Sequence, residues 1–251
     1  MEITIGYLYP ENLNLYGDRG NVEALLYNLD VLGISGKVFE IATSSAPSTI
    51  LKSDILVMGG GADISQKLVV SDFVENKGGA LREAFHKKTP GLFVCGAYQL
   101  LGKYYLPFSG NSMPGLNLAN FYTKHFGLNK KRCVGNVVVD ITKSPFCQIG
   151  FNELVGFENH GGRTYIADTK PLGFVKKGFG NNGQDKTEGV LINNFVGTYL
   201  HGPILPKNPH LTFFLINEAV KQKYQTNLNF SDLGDITLEK DAFNLARRLK
   251  R

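Results

Sequence analysis

The order of apolar runs along the sequence predicts an α/β fold, with a mostly parallel sheet flanked by helices and a smaller mixed β extension in the second half. Three observations carry this. Short apolar runs ending in glycine alternate with helical segments through the first part of the chain, as buried parallel strands do. The strand-to-helix turns fall at GGGAD and at Cys95-Gly96. After about Gly127 the pattern changes to short runs rich in β-formers, separated by glycine and asparagine.

In chain order, ITIGYLY (Ile3 to Tyr9) reads as the first strand. GDRGN then opens a helix through about Leu32, with Asp18 or Asn21 placed to act as N-cap. KVFEIA is a second strand, and SDILVMGGGAD is a short buried strand that must turn tightly where its three glycines begin. A helical region follows to about Lys88. GLFVCGAYQLLGKYY repeats the arrangement, with strand at Leu92 to Val94, a turn at Cys95 and Gly96, and a helix from Ala97. CVGNVVVDI, LVGFEN, RTYIA, LGFVKKG and GVLINNFVGTYL form the extension. Helical periodicity returns in LTFFLINEAVKQKY, with Leu211, Leu215, Ala219 and Val220 on one face, and again after Asp241. No internal repeat is present, and the stretch from Pro107 to Gly115 is too short to be a linker, so residues 1–251 are expected to form a single domain.

Composition narrows the class. Apolar residues make up 43% and charged residues 20% of the 251, close to globular averages. No stretch approaches the roughly 20 apolar residues that cross a bilayer, and MEITIGYLYP runs straight into a strand, so neither a transmembrane segment nor a signal peptide is expected. Three cysteines without C-x-x-C spacing argue against a disulfide framework and a zinc site, so no metal is expected and the compartment is the reducing cytoplasm. The formal charge is +5. Part of it, Arg247, Arg248, Lys250 and Arg251, suits the negative end of a helix dipole, with a weak attraction to the inner membrane face as the lesser alternative. Lys130, Lys131 and Arg132 form a second cluster, but without interleaved aromatics no nucleic-acid partner is expected.

Three places could do chemistry. Cys95, between strand and helix and followed by glycine, has the setting of a nucleophile elbow, where free helix N–H groups favour a thiolate. A cysteine in an apolar strand is also a common small core residue, and the elbow alone does not decide between the two. GGGAD (Gly59 to Asp63) can turn backbone N–H groups toward a developing oxyanion without steric cost. His201, in GTYLHGP, stands just after a β-like run, where a histidine can serve as general base and acid.

Together, GGGAD, VCGAYQLLG and TYLHGP, in that order, resemble the oxyanion strand, nucleophile elbow and catalytic histidine of class I glutamine amidotransferases, over residues 1 to about 225. GFENHGGRT (Gly156 to Thr164) resembles the cobyric acid synthase type, and LNLYGDRGN resembles the glutaminase subunits of lipid II isoglutaminyl synthases. The resemblance implies that Cys95 is the nucleophile and His201 its partner. It also implies that the N–H groups of Gly60 and Gly96 bind the oxyanion, and that Gln99, four residues after the cysteine, helps to hold the glutamine. The resemblance also places Arg132 at a family arginine near the glutamine entrance, with a plain surface role as the equal alternative. Many members carry a glutamate two residues after the histidine, where this chain has Pro203. The resemblance therefore implies a carboxylate from a partner, with Glu188 and Glu158 as alternatives within the chain. Cys133 and Cys147 are read as structural, and His86, His125 and His210 are given no role.

The implied activity is hydrolysis of L-glutamine through a cysteine thioester. Ammonia passes to a Mur ligase-like synthetase subunit in a heterodimer, which amidates D-glutamate of lipid II to isoglutamine during peptidoglycan synthesis. The chain is expected to be a whole small protein without a fused synthetase, cytoplasmic or peripheral at the inner membrane face. It has no G-x-x-x-x-G-K-[ST] loop, so no cofactor is expected in it, and ATP and Mg are expected on the partner. The competing readings are a DJ-1-like cysteine hydrolase or peptidase, which leaves GGGAD and GFENHGG without a purpose, and a non-catalytic scaffolding subunit.

Overall fold

The computed structural model describes residues 1–127 and 131–249. Lys130 of the second basic cluster and Lys250 and Arg251 of the tail lie outside the described residues.

The first half alternates as the sequence requires. β1 (Glu2–Leu8) leads through a loop to α1 (Arg19–Val31), β2 (Ser35–Ile41), the short α2 (Ser48–Leu51) and β3 (Ile55–Met58). Next come α3 (Asp63–Ser71), a π-helical turn (Asp72–Asn76), α4 (Gly78–His86), β4 (Gly91–Val94) and α5 (Gly96–Leu101). Every residue of β3 and β4 is buried, which is why those runs read as continuous rather than alternating. α1 begins at the GDRGN segment as expected, but the side chain of Asp18 makes no capping bond.

α5 ends sooner than the apolar run suggested. A Cβ at Gly102 would lie 2.7 Å from the Phe121 carbonyl oxygen, so the chain must pass close to another strand there. It turns into β5 (Tyr104–Leu106), followed by β6 (Met113–Pro114) and β7 (Phe121–His125). The β extension therefore starts about 20 residues before Gly127, and β7 pairs with β10 (Gly162–Ile166) in a small four-stranded sheet. β8 (Cys133–Asp140), β9 (Glu153–His160), β11 (Gly173–Lys177) and β12 (Thr187–Glu188) make a third, antiparallel sheet.

GVLINNFVGTYL is not one extension strand. It is a hairpin of β13 (Val190–Ile192) and β14 (Phe195–Thr198), turning at Asn193, whose φ of 49° is a conformation asparagine tolerates. β14 returns to lie parallel beside β4, giving the six-stranded order β13-β14-β4-β3-β1-β2, in which only β13 runs antiparallel. That return brings the C-terminal ends of β3, β4 and β14 together, the edge at which open α/β sheets bind their ligands.

α6 (Pro209–Tyr224) buries Leu211, Leu215, Ala219 and Val220 against the main sheet, as its periodicity predicts. The last helix, α7 (Thr237–Arg248), starts four residues before Asp241 and is tied to the third sheet. Phe243 packs beside Phe151 and Val155, while the Glu153 carboxylate receives Lys176 at 2.7 Å and Arg247 at 2.5 Å. Among the described residues no helix is long and apolar enough to cross a membrane.

Candidate active site

Cys95 sits at the tip of the β4-to-α5 turn with φ 51° and ψ −103°. For a residue with a Cβ this backbone costs on the order of 1–3 kcal/mol. Two backbone hydrogen bonds hold it there: the Cys95 N–H donates to the Thr198 carbonyl at 2.7 Å, and its own carbonyl accepts the Gln99 N–H at 3.0 Å. The elbow is thus fixed by β14 on one side and by its own helix on the other. Its thiol lines a cleft of about 470 Å³, within the range of small-molecule sites.

His201 reaches the same place from the end of β14. Its backbone exchanges hydrogen bonds with Phe157 of β9, at 2.7 and 3.3 Å, so the strand that carries GFENHGG also positions the imidazole. The Tyr16 ring packs on it with centroids 4.4 Å apart. Burial alone would lower the His201 pKa; Cys95 and Asp18 more than offset it and push it up to about 9. A protonated imidazole beside a cysteine sets a proton donor next to a nucleophile.

Gly60 lies between these groups. A Cβ there would be 3.0 Å from the Cys95 Cβ and 3.0 Å from the His201 Cε1, so only hydrogen leaves room for the pair. Its expected role in the oxyanion site needs correction. The Gly60 N–H donates to Asp18 Oδ2 at 2.7 Å and so is committed to a carboxylate rather than open to a substrate oxygen. The next residue, Gly61, lines the cleft, as Gly60 does not. Gly96 is the first residue of α5, where intrahelical geometry leaves N–H groups without partners.

The remaining predicted residues converge. Gln99, almost fully buried, lines the cleft; its Nε2 donates to the Tyr199 hydroxyl at 3.2 Å and its Oε1 accepts from Gln66 Nε2 at 3.2 Å. Arg132 lines the outer wall, with Nε donating to Asn159 Oδ1 at 3.0 Å and Nη2 to the Asn159 carbonyl at 3.1 Å. The two glutamates considered as in-chain acids are engaged elsewhere. Glu188 accepts from the Thr198 hydroxyl at 2.7 Å and the Tyr199 N–H at 2.8 Å, and burial, partly offset by those bonds, pushes it up to about 7. Glu158 accepts the N–H groups of Phe179 at 2.6 Å and Gly180 at 2.9 Å. The carboxylate that does face His201 is Asp18, with Oδ1 3.7 Å from Nδ1.

Four residues of the site were not singled out by function in the sequence: Tyr16 and Asp18 within LNLYGDRGN, Gln66, and His160 within GFENHGGRT. His160 stacks on Tyr199 at 3.6 Å, hydrogen-bonds the Gly162 carbonyl through Nδ1 at 2.8 Å, and burial pushes its pKa down to about 3, so it is a neutral ring. His125, given no role, lines the cleft mouth, whereas His210 is buried beside Phe151. Cys133, Glu158 and His160 bring possible metal ligands within 4.8 Å of one another, and both Glu158 oxygens already serve the two backbone N–H groups.

A cysteine held at a strand-to-helix turn, a histidine set against it across Gly60, and a cleft walled by Gln99 and Arg132 make up the candidate active site. Residues 4–209 match the CobB/CobQ-like glutamine amidotransferase domain, and the chain belongs to that family. It is accordingly a glutamine-hydrolysing amidotransferase, and the DJ-1-like reading is set aside. It is 40% identical over 222 residues to the lipid II isoglutaminyl synthase (glutamine-hydrolyzing) subunit GatD of Staphylococcus aureus, covering 88% of this chain and 86% of that one. With the protein of the same name from Streptococcus pneumoniae it shares 34% over 236 residues, 94% of this chain and 87% of the other. Among solved structures, that of PurLQS from Thermotoga maritima shares the fold, with a TM-score of 0.53 at 15% identity over 86% of this chain and 99% of that one.

Proposed function

We propose that the chain is the glutaminase subunit of a lipid II isoglutaminyl synthase, working through a Cys95 thioester. The observation that carries the mechanism is the seating of His201 and Cys95 against the same face of Gly60, at the end of a cleft walled by Gln99 and Arg132. Arg132, the cation on the cleft wall, receives the α-carboxylate of L-glutamine, and Gln99 orients the bound substrate. Cys95 sulfur attacks the side-chain amide carbon, and the carbonyl oxygen takes up negative charge facing the Gly96 N–H, with Gly61 the adjacent amide on the cleft side. One such donor is worth about 100-fold or more in rate. His201 gives its proton to the departing nitrogen, the C–N bond breaks, and ammonia leaves a glutamyl thioester. The now neutral imidazole then takes a proton from water, whose oxygen displaces sulfur and releases glutamate.

The acceptor follows from kinship. The 40% and 34% identity to two subunits bearing that name, over most of each chain, supports delivery of ammonia to a Mur ligase-like synthetase that amidates D-glutamate of lipid II to isoglutamine. ATP and Mg belong to that partner, which activates the carboxylate. The decisive experiment is glutamate release from L-glutamine by the chain and by Cys95→Ala, each alone and with the synthetase, ATP and lipid II. Activity lost in the variant, with isoglutamine formed by the complete mixture, is the expected result. No glutamate under any condition would favour a scaffolding role.

A further inference from the structure

Beside the cleft, three buried side chains that do not enter the reaction meet, each a metal ligand by chemistry. β8 and β9 pair antiparallel with Cys133 directly opposite His160, and Glu158 stands two residues before His160, so strand alternation turns all three to one face. Each is at most 2% exposed. The Cys133 sulfur, a Glu158 oxygen and a His160 nitrogen lie within 4.8 Å of one another. Cysteine spacing announces no such site, because strand register and not local sequence gathers the ligands.

Two of the three are already aimed. A carbonyl oxygen only accepts, so the 2.8 Å contact of His160 with the Gly162 carbonyl puts the ring proton on Nδ1 and leaves Nε2 a bare lone pair. That nitrogen is buried, has no hydrogen-bond partner among the described residues, and faces Glu158 Oε2 at 3.5 Å. Two buried acceptors set against each other repel until a cation stands between them. The spacing suits one: bonds of about 2.0–2.1 Å in a tetrahedral site put nitrogen and oxygen about 3.3 Å apart. Sulfur has to close by roughly 1 Å, within reach of a Cys133 side-chain rotation. Each carboxylate oxygen carries two lone pairs, so a backbone N–H and a metal can share it. The amides of Phe179 and Gly180 then orient Glu158, and the Gly162 carbonyl orients His160, as outer partners of metal ligands do. Gly178, whose Cβ would fall 2.9 Å from Glu158 Oε1, lets that loop close on the carboxylate.

We infer that Cys133, Glu158 and His160 form a site for one divalent cation of the zinc class, clamping β8 to β9 beside the cleft. Thiolate and imidazole favour zinc over magnesium or calcium, which take oxygen ligands. A thiolate and a carboxylate carry two negative charges, so a divalent ion leaves the buried cluster neutral. On binding, the Cys133 S–H bond breaks, its proton goes to solvent, and the sulfur bonds the metal. His160 lines the cleft, which gives the ion a path inward. Its ring also stacks on Tyr199 at 3.6 Å, and the Tyr199 hydroxyl accepts from Gln99, so a filled site stiffens the wall that carries Gln99. The metal site does not depend on the glutaminase reading.

The test uses the full chain without an affinity tag, carrying Cys95→Ala so that the thiol of the cleft does not compete for metal. After dialysis against EDTA, zinc is added and the excess removed. Elemental analysis should find about one zinc per chain, and the melting temperature should rise by about 5 °C or more at saturation. Cobalt in its place should show thiolate-to-metal charge-transfer absorption. Adding Cys133→Ala, or His160→Phe, which keeps a ring on Tyr199, should abolish both the bound zinc and the shift, whereas Cys147→Ala should change neither. A ligand variant that fails to fold would also lose zinc, so X-ray absorption at the zinc edge of the loaded parent decides without it: one sulfur at about 2.3 Å with lighter atoms at about 2.0 Å is expected. Zinc below about a tenth of an equivalent in the parent, a zinc shell without sulfur, or zinc fully retained by a folded Cys133→Ala variant would overturn the inference.

Discussion

Replacing Gly60 by alanine should separate catalysis from folding. The added methyl would lie 3.0 Å from the Cys95 Cβ, 3.0 Å from the His201 Cε1 and 3.5 Å from Asp18 Oδ2. Carbon atoms prefer about 3.5–4.0 Å, so both side chains must retreat by roughly 0.5 Å or more. The backbone is no obstacle, since Gly60 is not among the glycines with positive φ. Overpacking of this kind costs about 1–3 kcal/mol of stability, which a domain of this size tolerates. Its effect on the reaction is larger, because a displacement near 1 Å can cost about 100-fold; a fall in kcat of about 10- to 100-fold is expected. The assay is steady-state glutamate release by the complex, with the melting temperature of the same preparation. The matched control is Gly59→Ala, whose methyl would meet the Leu13 carbonyl oxygen at 2.3 Å, a backbone atom that cannot move aside. That variant should lose stability first. Were Gly60→Ala to turn over within about threefold of the parent, the tight meeting of Cys95 and His201 across Gly60 would be wrong.

Arg132→Ala should raise KM for L-glutamine by about 10-fold or more while the melting temperature holds, since the side chain is exposed and, among the described residues, its bonds go to Asn159. Isothermal titration of glutamine into a Cys95→Ala background checks it, and unchanged affinity would remove Arg132 from the substrate site. His160 and His210 are both held neutral down to about pH 3 by burial. An unfolded chain takes up these protons near pH 6.5, so stability falls as pH drops from there toward 3, at about 1.4 kcal/mol per pH unit for each histidine. Urea unfolding at a series of pH values tests this, and His210→Phe should flatten the slope. His201, raised to about 9, works in the opposite sense: its contribution is full below about pH 6.5 and is lost as pH rises through 9. Arg247→Ala leaves the nearly buried Glu153 with Lys176 as its remaining cation, so α7 should exchange its amide hydrogens faster while glutaminase activity is retained.

The elements nearest in sequence to the chemistry were legible because local geometry demands particular residues. A strand that must turn at once into a helix needs glycine or a strained residue, and GGGAD and Cys95-Gly96 announced those turns. The return of β14 to the main sheet was not legible, because an alternating run looks the same whichever neighbour it finds. Asp18 was placed correctly at the start of α1 but read as a cap, since a carboxylate there usually serves its own helix. Its true partners, Gly60 and His201, are distant in sequence and meet it only through the topology of the sheet. Gln66 and His160 were silent for the same reason. For Glu188 and Glu158 the charge was visible, but not the backbone amides that consume it.

The site draws on the loop before α1, the end of β3, the elbow after β4, the start of β8 and the end of β14, so its members span residues 16 to 201. During synthesis the thiol leaves the ribosome more than 100 residues ahead of the imidazole that activates it. Until β14 has threaded in beside β4, the Cys95 N–H lacks its Thr198 acceptor, and nothing on that side holds the elbow in its strained form. A chain that has not yet added β14 therefore lacks both the acceptor that holds the elbow and the histidine that stands beside it.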